Sequence, residues 1–318
     1  MKIVVTGGAG FIGSNVVDGY VSAGHEVLVV DNLSTGRKSN VHREARFFQV
    51  DVRSQGAFDL IVKEKPDIIN HHAAQISVPE SVRDPLTDAD VNIKGLLNLL
   101  QAAVKGGIEK IIFISSGGAI YGDAEEYPTS ENFVPRPLSP YAVSKYASEH
   151  YLYYYRYQYG LDYTTLRYAN IYGPRQVPHG EAGVVAIFMD NLLAGRRSVV
   201  NHFPNEKEGM IRDYCFVGDV VRANQMALEK GSGDFFNIGT GVETRTLSLH
   251  KIVCNEFDRI LPGKGEGLRE PEFRTARPGD LKRSCLVIEK VQKILGWTPA
   301  TDLDEGISRT WRWRMKGK

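Results

Sequence analysis

The stretch KIVVTGGAGFIGSNVV, residues 2–17, decides the fold. Its apolar, β-branched run from Lys2 to Thr6 has the composition of a buried strand. That run meets Gly7, Gly8, Gly10 and Gly13, and a segment of helical period, Phe11–Ala23, follows. A helix that starts on such a turn offers unpaired N–H groups and a positive dipole end, and glycine lets a diphosphate come close to the backbone. Glycines alone are weak evidence, because they also make ordinary turns. The context strengthens them: VLVVDNLSTG, residues 27–36, ends a second strand on Asp31, 18 residues beyond Gly13. A carboxylate at that strand end accepts hydrogen bonds from a ribose 2′-OH and repels a 2′-phosphate, so the pattern favours NAD over NADP.

Outward from this unit the chain keeps alternating. Arg46–Asp51, Ile68–Asn70 and Ile111–Ser115 are further short apolar runs, separated by longer segments of helical period. Such alternation predicts an α/β fold, a doubly wound parallel sheet covered by helices on both faces. Leu96, Leu97, Leu99 and Leu100 mark a helix over Asn92–Lys105 that stops at Gly106-Gly107. QVDVRS puts Asp51 and Val52 at the third strand end, where they either read an adenine edge or simply cap a turn. In NHHAAQ the neighbouring His71 and His72 face opposite sides of a strand, which argues against a shared metal, and the small Ala73 and Ala74 leave room for a dinucleotide. After about residue 170 the pattern loosens into Pro/Gly-rich loops of the kind that carry specificity.

At 318 residues and 42% hydrophobic composition the chain can bury a large core. Its 39 basic and 38 acidic side chains nearly cancel, so no global field favours nucleic acid or an anionic membrane. Cys215, Cys254 and Cys285 are widely spaced and form no CxxC pair, which suggests reduced thiols and neither a disulfide framework nor a zinc site. The first apolar run is too short for a signal-peptide core, and no later one is long enough to span a membrane. A cytoplasmic protein without a metal is expected. HYLYYYRYQYG, residues 150–160, lies on a helix that starts at Ser139-Pro140 and ends at Gly160, and its tyrosines read as core packing and a subunit contact.

SPYAVSK, residues 139–145, carries the most chemistry. Ser139 as N-cap and Pro140 as first helical residue place Tyr141 and Lys145, four apart, on one face. A phenol is a poor base at neutral pH, and a nearby ammonium favours the phenolate, so this pair reads as a general base and the cation that tunes it.

Taken in order, TGGAGFIG, DNLSTG, HHAAQ, SSGGAIYG, YAVSK, RYANIYGPRQ, RDY and RPGD resemble the extended short-chain dehydrogenase/reductase family, and within it the UDP-hexose 4-epimerases, over nearly the whole chain. The resemblance implies an NAD-binding Rossmann domain of residues 1–170 plus about 213–240, and a smaller nucleotide-sugar lobe of 171–212 and 241–318. It also implies a homodimer built from helices that include the one with Tyr141. NAD would lie against Gly7, Gly10, Phe11, Ile12 and Gly13. Further contacts would come from Asp31, Asn32, Ser34 and Gly36, from Asp51 and Val52, and from Ala73, Ala74 and Gln75. Asn92, Ser115, Lys145 and Tyr168 would complete the cofactor site. The sugar nucleotide would meet Ser116, Gly117, Asn170, Val184, Val185 and Phe203, with Arg212 and Arg277 on its phosphates. Asp280 would take the uridine ribose. In such enzymes a tyrosinate removes the sugar 4-OH proton while C4 gives hydride to NAD, the 4-keto sugar turns over, and hydride returns to its other face.

Several relatives compete with that reading. Dehydratases and decarboxylases of the family carry an acidic residue in the turn after the strand, where Gly118 and Ala119 stand here. Glucuronate 4-epimerases tend to carry an arginine seven residues after the position of Asn170, and here that residue is Val177. A dTDP-sugar enzyme remains open. A non-catalytic NAD sensor would be expected to lose the base, yet Tyr141 and Lys145 are both present. Ser284, seven after Arg277, stands where a bulky residue would close the pocket to N-acetylated sugars, so UDP-GlcNAc is expected to fit. Pro204 and Asn205 replace the start of a turn common in relatives.

FISSGGAIYG, residues 113–122, poses one question. Relatives place a catalytic hydroxyl four residues before the position of Tyr121, and that residue is Gly117. Either Tyr141 exchanges the proton directly, or the backbone freedom of Gly117-Gly118 turns the strand end so that Ser116 supplies the hydroxyl. For the cofactor, Asp31 leads to a simple expectation: nucleotide released by denaturing the purified protein is NAD on chromatography, and a preponderance of NADP would refute the reading of Asp31.

Overall fold

Residues 1–178, 183–276 and 280–316 are described by the computed structural model. Residues 2–168 supply strands β1 (Lys2–Thr6), β2 (Glu26–Asp31), β3 (Arg46–Gln49), β4 (Ile68–His71), β5 (Lys110–Ser116) and β6 (Asp162–Tyr168). Then come β7 (Asn170–Tyr172), β8 (Val199–His202), β9 (Ile211–Phe216), β10 (Asp234–Ile238), β11 (Glu243–Arg245), β12 (Glu272–Thr275) and β13 (Arg283–Ser284). Seven strands make one sheet in the order β10-β6-β5-β4-β1-β2-β3, with every pairing parallel. Because successive strand residues face opposite ways, each strand feeds two cores. Val4, Leu28, Ile69 and Ile111 pack with Leu96, Leu99 and Leu100 on one face. Ile3, Val5, Val29 and Ile112 pack with Val16, Tyr20 and Val220 on the other. Strand order reverses between β1 and β4, so the loops leaving their C-terminal ends diverge and open a crevice there.

Three local expectations change. β3 ends at Gln49, which leaves Asp51 in the turn beyond the strand. The helix expected over Asn92–Lys105 begins earlier, as Pro85–Ala89, passes through a π-helical turn at Asp90–Lys94 and continues as Gly95–Gly106. Gly107, with φ of +70°, ends it in the left-handed conformation. Beyond residue 170 the chain is also far more regular than its loops suggested. β7, β9, β11 and β13 form a second sheet, β8 pairs β12, and helices span Val184–Leu193, Thr246–Ile260 and Leu303–Lys316. Phe188, Phe216, Leu249, Phe257 and Trp311 form their core. Strands of two to six residues are too short to show a period of two in sequence.

The helix Pro140–Tyr159 begins as its sequence requires. Ser139 Oγ accepts the Ala142 N–H at 3.2 Å, Pro140 opens the first turn, and Gly160 closes the helix with φ of +72°. Its buried face carries Ser144, Lys145, Ser148, Glu149 and Leu152. Glu149 is gripped by Arg167 of β6, whose Nε and Nη2 donate to the two carboxylate oxygens at 3.0 and 2.6 Å. The remaining Nη1 donates to Tyr121 Oη at 2.8 Å, and the guanidinium lies 4.0 Å from the Phe235 ring centroid. Removing one partner strands a buried charge, so Glu149→Ala is expected to cost about 3–5 kcal/mol in urea unfolding, and Glu149→Gln less.

Candidate active site

A cleft of about 1020 Å³ opens at the strand ends of the large sheet and runs to the smaller one. Its cofactor-side wall brings together Gly7, Gly10, Phe11, Ile12 and Gly13 with Asp31, Asn32, Ser34, Asp51 and Val52. Ala73, Ala74, Gln75, Ser115, Ser116, Tyr141, Lys145 and Tyr168 line its middle, and Asn170, Val184, Val185, Arg212 and Asp280 line the far end.

Close approach explains the glycine turn. Gly7 has φ of +68°, and a Cβ there would sit 2.6 Å from the Ala73 nitrogen; a Cβ on Gly13 would sit 2.3 Å from the Gly7 oxygen. Gly10 caps the helix Phe11–Ser22 without a side chain, so its first N–H groups face the cleft with no side-chain cap. Asp31 accepts the N–H groups of Ala9 at 3.0 Å and Leu33 at 2.8 Å, which ties the strand end to the turn. Gly36 is absent from the cleft wall. It packs behind Asp31, where a Cβ would lie 3.0 Å from Oδ1. Asp51 is bound by Arg53 and Asn32, and the Arg53 guanidinium holds its carboxyl well below the usual range. A glycine-lined helix start beside a strand-end carboxylate fits a dinucleotide with a free 2′-OH.

Tyr141 and Lys145 line the same cleft. Burial pushes the Tyr141 phenol up to about 12, a hydrogen bond with Ser116 works the other way, and the Asp88 charge raises it again. The shift is therefore opposite to the depression expected from Lys145. Burial likewise pushes Lys145 down to about 8, against the pull of Asp88 and Glu149. Its Nζ donates to the Ile114 carbonyl at 2.9 Å and lies 5.0 Å from the Phe113 ring centroid. Ser116 ends β5 and pairs in register with Tyr168, whose hydroxyl accepts from Asn224 Nδ2 at 2.6 Å.

The glycines after Ser116 have a different reason from the one expected. Neither Gly117 nor Gly118 has positive φ. A Cβ on Gly117 would stand 2.6 Å from Leu286 Cδ1 and 3.1 Å from the Arg167 carbonyl oxygen, so Leu286 fills the place of the missing side chain. Gly117 itself does not line the cleft.

Other residues land elsewhere. Asn92 is buried off the cleft wall and its amide braces the turn at Gln75: Oδ1 accepts the Gln75 N–H at 2.9 Å, and Nδ2 lies 3.0 Å from the Gln75 carbonyl. His71 Nδ1 is 2.7 Å from Thr6 Oγ1 in the core, whereas His72 lines the cleft; burial pushes both down to about 3. Arg212 donates to the carbonyls of Ile211 and Leu281, each at 2.8 Å. Phe203 and Ser284 are not in the cleft wall: Phe203 bridges to Glu206, and Ser284 pairs with Arg212 across β13 and β9. Arg277 lies outside the described residues. Asp213 went unread in the sequence. It is buried and accepts Thr240 N at 2.7 Å, Thr240 Oγ1 at 2.6 Å and Gly241 N at 3.1 Å, joining the two sheets behind the cleft. Among the described residues no cluster of three His, Cys, Asp or Glu side chains could hold a metal, and no helix is long and apolar enough to cross a membrane.

Residues 3–239 match the profile of the NAD dependent epimerase/dehydratase family. A UDP-glucose 4-epimerase of Mycolicibacterium smegmatis is 45% identical over 316 residues, covering 98% of this chain and 97% of the relative. The structure of a Thermotoga maritima UDP-glucose 4-epimerase with UDP-glucose matches with a TM-score of 0.92 at 45% identity, over 100% of this chain and 99% of that one. A Thermus thermophilus UDP-glucose 4-epimerase in complex with NAD matches with a TM-score of 0.91 at 43% identity over both whole chains.

The depressed Lys145 has a consequence for stability. The unfolded chain binds this proton up to about 10.5 and the folded one only to about 8, so the folded state gains stability as pH rises across that window and lacks it below. Below pH 8 the deficit is on the order of 3 kcal/mol. Lys145→Met should therefore raise the thermal midpoint of the ligand-free protein by a few degrees at pH 7, with the gain vanishing near pH 10.5, as calorimetry across pH would show.

Proposed function

The chain belongs to the NAD dependent epimerase/dehydratase family, and we propose that it is a 4-epimerase of UDP-hexoses, acting on UDP-glucose and UDP-galactose by transient oxidation at C4. The observation that carries this reading is the convergence of Ser116, Tyr141 and Lys145 on one cleft beneath a turn, Gly117-Gly118-Ala119, that holds no acid. Elimination needs a proton donor to the leaving group, and that turn supplies none.

Residues 1–170 with 213–240 form the cofactor part of this reading, and 171–212 with 241–318 the sugar-nucleotide part. The N–H groups at the start of the helix Phe11–Ser22 hold the diphosphate of NAD, and Asp31 takes its ribose hydroxyls. NAD, when bound, supplies the hydride acceptor for C4 and a positive charge that favours the phenolate. Tyr141 takes the 4-OH proton and gives it back after the sugar turns over. Ser116 shares that proton as a bridging hydroxyl, and Lys145 holds the cofactor ribose. Arg212, Arg277, Asn170 and Asp280 secure the nucleotide end. The exposed Tyr153, Tyr154 and Tyr157 on the same helix are the face for a second copy of the chain. The free thiols Cys215, Cys254 and Cys285 suit a reducing cytoplasm.

A panel of UDP-glucose, UDP-GlcNAc, UDP-glucuronate and dTDP-glucose, with products separated, tests the assignment. Isomers should form from UDP-glucose without consumption of added NAD. UDP-GlcNAc belongs in the panel to test whether the small Ser284, outside the cleft wall, matters for N-acetylated sugars. Loss of a bridging hydroxyl costs a factor on the order of 10² to 10⁴, so Ser116→Ala should lower kcat at least tens-fold with little change in KM, and Tyr141→Phe should do worse. Wild-type kcat in Ser116→Ala would mean that Tyr141 acts alone.

A further inference from the structure

Two opposite charges near the cleft are buried without an ion partner. Lys145 is buried, and its Nζ has the Ile114 carbonyl and the Phe113 ring for company. Asp88, 1% exposed on the short helix Pro85–Ala89, is held by amides: its Oδ1 accepts Gln75 Nε2 at 2.9 Å and Asn92 Nδ2 at 3.0 Å. Neither forms an ion pair within 4.0 Å among the described residues. An isolated buried charge is costly, and a carboxylate satisfied by amides alone still lacks its counter-charge.

We propose that Asp88 is a positioning residue for the reaction, the counter-charge of the Lys145 ammonium, held by the amide frame of Gln75 and Asn92 and linked to the helix of Lys145 through the Ser144 hydroxyl. The frame is continuous. Asn92 Nδ2, which shares its two hydrogens among Asp88, the Gln75 carbonyl and Ser144, lies 3.2 Å from Ser144 Oγ; Ser144 Oγ donates to the Tyr141 carbonyl at 2.9 Å, and Lys145 is the next residue after Ser144. The other end of the frame is Gln75 in the cleft wall, so one carboxylate sets both the wall and the helix of the base.

The charges around Lys145 leave Asp88 as its available anion. Glu149, on the same helix, is committed to Arg167 through both oxygens. His71 and His72, from β4 and the turn after it, are kept neutral by burial and by Lys145 itself. The Asp88 charge also acts on Tyr141. Asp88 therefore acts on both members of the pair with one sign: it favours the ammonium of Lys145 and disfavours the phenolate of Tyr141.

The part of this inference that concerns turnover rests on the proposed epimerase reading. For Asp88→Asn in the NAD-loaded enzyme with UDP-glucose, both limbs of the kcat/KM profile should move to lower pH together, by roughly half to one unit, and Asp88→Glu should restore them. A lower kcat with both limbs unmoved would show a frame role alone and overturn the proposal. A second measurement needs no substrate. In a double-mutant cycle of thermal midpoints, Asp88→Asn should lower the midpoint of the wild-type chain and leave it level or raised in Lys145→Met. Additive effects would overturn the split pair. Should Asp88→Asn alone not fold, its recovery by Lys145→Met supports the coupling and continued failure refutes it. Absence of turnover on every UDP-sugar would sink the proposed function while the cycle still decided the charge pair.

Discussion

The bidentate contact between Arg167 and Glu149 fixes the geometry on which the site depends. Tyr141, Lys145 and Glu149 recur every four residues, so they share one face of the helix, and Arg167 pins the last of them to β6. Tyr168 follows Arg167 and lies opposite Ser116 on the neighbouring strand. One buried guanidinium thus ties the helix that carries Tyr141 and Lys145 to the strand pair that carries Ser116 and Tyr168. Its third hydrogen bond, to Tyr121, extends the same constraint to the turn after β5.

The electrostatics of the cleft favour the ligand-bound state. With no ligand the phenol is too weak an acid to ionise at neutral pH, and the lysine, pushed down to about 8, stays mostly protonated there. Both shifts come chiefly from burial, which penalises the phenolate and the ammonium alike. A cation bound beside Tyr141 would offset the penalty on its phenolate.

Sequence spacing reveals what is local. The glycine turn, Asp31 at the end of β2, and Ser139, Pro140, Tyr141, Lys145 and Gly160 each follow from a pattern a few residues long, and all take their expected places. Contacts across the chain are not legible in that way. Asp88 looks like an ordinary helix residue, and Asn92, expected at the cofactor, instead joins Asp88 to Gln75 and Ser144 from within the π-helical turn. Asp213 reads as part of a short motif, and its partners Thr240 and Gly241 come from the far end of β10. The sign of the Tyr141 shift escaped the spacing argument because helix periodicity places Lys145 on the right face and says nothing about how dry that face is.

Leu286 fills the space at Gly117, and the two residues come from parts of the chain synthesised far apart. β5 and its turn can form early, yet the floor beneath Ser116 is finished only when the segment after β13 arrives. That segment docks on Asp213 through the Leu286 N–H and on Thr129 through the Cys285 carbonyl. The turn after Ser116 is therefore completed late in synthesis: a nascent polypeptide that has made β5 still lacks Leu286 against Gly117, and it also lacks Ile288, Val291, Leu295 and Trp297 from the core of its large sheet.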